Sequence, residues 1–204
     1  MGFTSLIAHL ISIKKPIIMH NGMIDSLHLY DKFVDNLPGT LPEFKENFHQ
    51  SFNTIFDTKY ILNSSISLSP YFGNGKLTSL GDAYNRVLRP DFMFEDKVEI
   101  NPEINSKVPS YDSKYEINGN KCHEAGFDSL MTGVLFYKIM SALDDNYSFN
   151  PEELFHGVQT PLSMLYRNRI PITKRTPINL NVKRTSDDGV RLDGGFNINQ
   201  ANAE

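Results

Sequence analysis

The run Pro16-Ile17-Ile18-Met19, followed by His20-Asn21-Gly22, constrains this chain more than any other stretch. A short unbroken apolar run reads as a strand buried on both faces, as in a parallel sheet. Gly22 marks a sharp turn, and beyond it Ile24, Leu27, Leu29, Tyr30 and Phe33 supply the packing stripe of a helix over Met23–Val34. Ile55-Phe56-Asp57-Thr58 is a second short strand leading into a helix from Lys59. Strands alternating with helices argue for an α/β fold.

Further helices are expected at Thr4–Ile13, at Leu41–Phe52 and at Ser79–Leu88. Pro42 falls in a first turn, where its missing N–H is tolerated, and Ser79 can cap the third of these. Phe127–Leu143 is the strongest helix of the chain. Residues 91–120 are polar, contain Pro102 and Pro109, and read as a long surface loop. After Asn150 the pattern turns short and Pro-punctuated, so 151–186 is expected to be a strand-rich extension of the domain over 1–150. The Gly-, Asn- and Asp-rich stretch 187–204 is expected to be a disordered tail.

Composition narrows the class. An apolar fraction of 40% with 14 Phe and 9 Tyr is that of a globular protein. No apolar stretch approaches the ~20 residues that span a bilayer, so no membrane association is expected. The single cysteine, Cys122, excludes an internal disulfide and suits a reducing compartment. The net charge of −4 hides an uneven distribution. Arg167, Arg169, Lys174, Arg175, Lys183 and Arg184 form a block without an acid. It can follow a phosphate backbone or simply protect an edge strand.

Two constellations carry chemistry. In His20-Asn21-Gly22-Met23-Ile24-Asp25 the strand-to-helix junction puts Asp25 in a helix's first turns, at the carboxyl edge of a sheet where α/β proteins bind ligands. In His123-Glu124-Ala125-Gly126-Phe127-Asp128 a His and an Asp can face one cleft at a helix entrance. There Asp128 can hold a divalent metal and His123 can take a proton from water. Each segment alone is also an ordinary helix start, with acids complementing the helix dipole.

Taken together with Asp57-Thr58-Lys59, with Leu37-Pro38 and Glu43-Phe44-Lys45 between them, and with Pro109-Ser110-Tyr111-Asp112 ahead of the second segment, the pattern resembles the poly(A)-specific ribonuclease family. These are DEDD-type 3′-to-5′ exoribonucleases, and the likeness runs in order from Lys15 to Leu143. It implies an RNase H-like fold and removal of nucleotides from RNA 3′ ends, with two Mg²⁺ held by four carboxylates. By motif, Asp25 is the third acid, Asp128 the fourth and His123 the general base. Lys59 matches a lysine near the scissile end, and His20 and Asn21 belong to the RNA-contacting set. Poly(A) tails or other RNA 3′ ends are the implied substrate, and nucleus or cytoplasm the implied compartment.

One part of the pattern is missing. The resemblance requires an Asp-x-Glu on the opening strand, and Met1–Met19 contains no acid. The first strands of the sheet are expected to be absent with it, leaving Pro16–Met19 with an exposed edge. Two acids in place of four imply weak Mg²⁺ binding and slow or no turnover. Three readings stay open: an incomplete portion of the enzyme, one half of an enzyme completed by a homodimer or another chain, and a non-catalytic RNA-binding or assembly relative.

Overall fold

The computed structural model describes residues 2–75, 78–89, 91–92, 125–144, 149–172 and 177–180. Cys122, His123, Glu124, most of the 91–120 loop and the 187–204 tail lie outside the described residues. The chain divides into two compact units, one from residues 1–60 and 151–204, the other from residues 61–150.

In the first unit, α1 (Phe3–Ile13) precedes β1 (Ile17–Met19), α2 (Met23–Phe33), α3 (Leu41–Ser51) and β2 (Ile55–Asp57). β1 and β2 run parallel, with Ile17 opposite Ile55 and Met19 opposite Asp57. The expected parallel strand pair is therefore present, each strand three residues long. β2 is fully buried, whereas all three residues of β1 are half-buried, less than a strand covered on both faces would be. Among the described residues β1 has a strand neighbour on one side only.

The helices follow their sequence signals. The Thr40 hydroxyl faces the Glu43 N–H at 3.5 Å at the entrance of α3, with Pro42 in its first turn. Phe44 and Phe48, one helical turn apart, are fully buried. Their rings stand 5.2 Å apart, Phe48 lies 5.0 Å from Phe52, and Tyr30 of α2 meets Phe44 edge-on at 5.7 Å. Each such pair adds about 0.5–1.5 kcal/mol beyond area burial. On α1 only Ile7 is buried, while Phe3, Leu6, Leu10 and Ile13 are exposed.

Residues 151–180, read from sequence as strand-rich, contain two short helices, α7 (Pro151–Phe155) and α8 (Pro161–Tyr166), before an antiparallel pair, β3 (Arg169–Pro171) and β4 (Pro177–Asn179). Thr160 and Ser163 form a reciprocal capping box that starts α8. The strand signal was right only where Ile170 and Ile178 alternate with polar or Pro neighbours. These two, with Leu180, close the core around Ile7, Phe44, Phe48, Phe52 and Ile55.

Asn168 joins this pair to the parallel one. Fully buried and at φ 59°, it donates its N–H to the Ile55 carbonyl (2.7 Å). Its Oδ1 accepts the Ile55 N–H (2.9 Å) and its Nδ2 donates to the Asn53 carbonyl (3.1 Å). Its own carbonyl accepts from Leu180 N–H (2.7 Å). The main chain and side chain of one residue thus continue the β2 ladder together. Arg167 and Arg169 of the basic block flank it, half-buried, and Lys174, Arg175, Lys183 and Arg184 lie outside the described residues.

In the second unit, residues 61–64 are the last turn of α4 (Thr58–Ser64), and a 3₁₀ turn (Ser69–Phe72), α5 (Leu80–Val87) and α6 (Ala125–Leu143) follow. Ser79 caps α5 as its sequence predicts, accepting from Asp82 N–H. α6 buries Met131, Val134, Leu135, Phe136, Ile139 and Met140 over most of its circumference, as an internal helix does. Tyr84 of α5 meets Phe127 edge-on at 6.2 Å.

Replacing Asn168 with Ala takes a partner from the Ile55 N–H and from the Asn53 carbonyl, and keeps a Cβ in left-handed backbone. Urea unfolding is expected to show a loss of about 3 kcal/mol. Asn168→Gly relieves the backbone term alone and should recover about 1 kcal/mol of it. Equal losses in the two variants would show that backbone strain contributes nothing.

Candidate functional site

β1 and β2 end side by side, and the residues just past them form the site. Asn21 sits in left-handed backbone at φ 61°, a conformation Asn tolerates better than most residues. The turn then brings Gly22 against Met19, where a Cβ would stand 2.7 Å from the Met19 Cβ and 2.5 Å from its Sδ. Only glycine fits there. Behind it, the buried Ser26 donates its hydroxyl to the Gly22 carbonyl at 2.7 Å and fixes the first turn of α2. Asp25 lies in that turn, exposed, where the helix dipole favours an anion.

Asp57, the last residue of β2, is fully buried and ties both strand ends together. Its Oδ2 accepts the Gly22 N–H at 2.7 Å, and its Oδ1 accepts the Tyr60 N–H at 3.0 Å. Gly22 is the N-cap of α2 and Tyr60 lies in the first turn of α4, so one carboxylate caps two helices whose own N-termini need acceptors. Burial pushes this carboxyl above the usual carboxylate range, while bonds from the main-chain N–H groups of Gly22, Tyr60, Asn21 and Lys59 pull it back. Burial wins.

A second tie lies beside it. Thr58 Oγ1 is 3.1 Å from the Met19 carbonyl and 2.8 Å from His20 Nδ1. A hydroxyl has one proton and the carbonyl can only accept, so Thr58 donates to Met19. His20 Nδ1 must then carry the proton and donate to Thr58. That bond orients the imidazole and leaves Nε2 as the acceptor in the neutral ring.

Lys59 follows in the first turn of α4, half-buried. A cation at a helix N-terminus is placed against the dipole. Its ammonium has no ion-pair partner among the described residues. His20, Asn21 and Lys59, the three residues assigned to RNA contact, are thus brought to one edge of the sheet. Asp128 is in the second unit, in the first turn of α6, half-buried, with its carbonyl accepting from the Thr132 hydroxyl at 2.8 Å. His123 lies outside the described residues. Among those residues no three His, Cys, Asp or Glu side chains gather as a metal site. Sequence reasoning noticed Asp57 only as part of a motif. Its signal was an acid ending an otherwise apolar strand and followed at once by a helix.

A parallel strand pair with polar and charged residues at its carboxyl edge defines an α/β protein, and open α/β sheets bind their ligands at that edge. Residues 1–136 match the family model described as CAF1 family ribonuclease. The chain belongs to the CAF1 family of ribonucleases, in its DEDD-type poly(A)-specific ribonuclease branch, and the fold is RNase H-like. It is 32% identical over 139 residues to a pre-piRNA 3′-exonuclease trimmer of Bombyx mori, covering 68% of this chain and 25% of that protein. It is 33% identical over 163 residues to a poly(A)-specific ribonuclease, PARN, of Arabidopsis thaliana, covering 71% and 23%. With the human poly(A)-specific ribonuclease PNLDC1 it shares 29% identity over 145 residues, 70% and 26% of the two chains. The chain thus spans about a quarter of the length of these relatives.

Gly22→Ala is expected to cost about 1–3 kcal/mol, because Met19 must move to admit the Cβ. Thermal unfolding measures it. The Asp57 carboxyl gives a pH signature with a definite sign. Its raised folded-state value means that ionisation costs more in the folded chain than in the unfolded one, so its contribution falls as pH rises from the ordinary carboxylate range through that raised value. Wild type should therefore lose stability relative to Asp57→Asn between acidic and neutral pH. Urea midpoints that keep a constant difference would contradict the shift.

Proposed function

We propose that this chain works at RNA 3′ ends as a 3′-to-5′ exoribonuclease. The observation that carries the proposal is the assembly of His20, Asn21 and Lys59 at one sheet edge, with Asp25 on the helix that leaves it. Lys59, disfavoured by its own helix and without an ion-pair partner among the described residues, suits a phosphate oxygen. His20 and Asn21 meet the terminal nucleotides, and His123 takes the proton from the attacking water. Asp25 and Asp128 are the acids of the reaction. Two Mg²⁺ belong to this reading through the resemblance alone, and no step is assigned to them here. The names of the relatives, a pre-piRNA trimmer and poly(A)-specific ribonucleases, support poly(A) or small-RNA precursors as substrates.

A second reading, RNA binding without turnover, is favoured by the same geometry. His20, Asn21 and Lys59 are assembled at one sheet edge, and binding there does not need the acids. The single strand neighbour of β1 among the described residues also supports completion of the sheet by another chain or a second copy.

Incubating the purified chain with 5′-labelled oligoadenylate and Mg²⁺ separates the readings. Stepwise 3′ shortening, reduced at least about 100-fold by His123→Ala and by Asp128→Asn, is expected of the nuclease. Binding without product supports the second reading. Neither binding nor product overturns both.

A further inference from the structure

We infer that Asp57 is a positioning residue for RNA: its buried carboxylate sets the spacing between the His20–Asn21 turn and Lys59, and through it the affinity of that edge. The inference rests on the RNA-directed reading of the site proposed above. Asp57 cannot touch RNA itself, being fully buried. Its two oxygens bind the main chain next to the contact residues on both sides, at Gly22 beside Asn21 and at Tyr60 beside Lys59. The His20–Thr58 bond joins side chains, so on its own it lets the turn pivot. The carboxylate joins main chain to main chain through one rigid group, and the Gly22–Met19 contact blocks retreat of the turn towards the strand.

The chemistry of the group makes the requirement strict. Both oxygens face N–H donors, so the site needs acceptors on two sides. An amide of the same shape offers an acceptor on one side and a second donor on the other. Asn therefore releases either the turn or the start of α4, and the two contact elements separate.

The test compares wild type, Asp57→Asn and Ile178→Ala, which weakens the core of the same unit away from the edge. Binding of a short 5′-labelled oligoadenylate is measured without divalent ion, below the unfolding transition of each protein. Asp57→Asn is expected to bind about tenfold more weakly, equivalent to one lost charged contact, with Ile178→Ala unchanged. The Gly22 amide proton should lie downfield and exchange slowly in wild type, and lose both properties in Asp57→Asn. Gly22→Ala, which keeps the carboxylate and displaces the turn, should weaken binding as well and serves if Asp57→Asn does not fold. Wild-type affinity in folded Asp57→Asn, or equal weakening in Ile178→Ala, overturns the inference. A wild-type chain that binds no RNA overturns the proposed function instead, and the Gly22 amide then decides whether the carboxylate holds the turn at all.

Discussion

A carboxylate buried with no ion-pair partner among the described residues is costly, and this fold places one at the end of its parallel strand pair. Asp57 is tolerated because it receives main-chain N–H groups from two helix entrances, where partial positive charge and unused donors coincide. Hydrogen bonds to a charged group contribute about 1.5–3 kcal/mol each, enough to offset much of the desolvation. The offset is incomplete, as the raised titration of the group shows. What the structure gains is a fixed relation between two segments that are distant in sequence.

That gain matters because the strands are only three residues long. A ladder of that length holds few bonds, so alignment is delegated to side chains at either end of β2. Asp57 joins it to the turn after β1, and Asn168 joins it to the hairpin of β3 and β4. Both use a planar group with two polar atoms and bind backbone on more than one side. Between them lies an aromatic core from α2 and α3, closed by Ile170, Ile178 and Leu180. The extension after Asn150 is therefore part of the packing of the first unit.

The same arrangement explains why the residues proposed to meet RNA are legible as a group while the proposed catalytic set is not. His20, Asn21 and Lys59 sit next to the Asp57 bonds and inherit their rigidity. Asp25 is one turn further along α2 and Asp128 opens a helix of the other unit. Membership of the CAF1 ribonucleases is shown by the match over residues 1–136, and the relatives are about four times as long as the matched segment.

Read alone, the sequence determined the elements. The Pro16–Met19 run, the turn at Gly22, Pro42 in the first turn of α3 and the Ser79 cap all report interactions within a few residues of one another. The family likeness was legible for the same reason, since its motifs are local strings in a fixed order. Only the tertiary structure decided what Asp57 and Asn168 do. Their partners, Gly22 and Ile55, are far away in sequence, and neither an acid ending a strand nor an asparagine before one announces which main chain it will bind. Strand-like patterning after Asn150 likewise concealed two short helices, the second of them started by the capping box of Thr160 and Ser163. Local bonding wrote the elements into the sequence, whereas the charge and polar groups buried between them took their meaning from the packing.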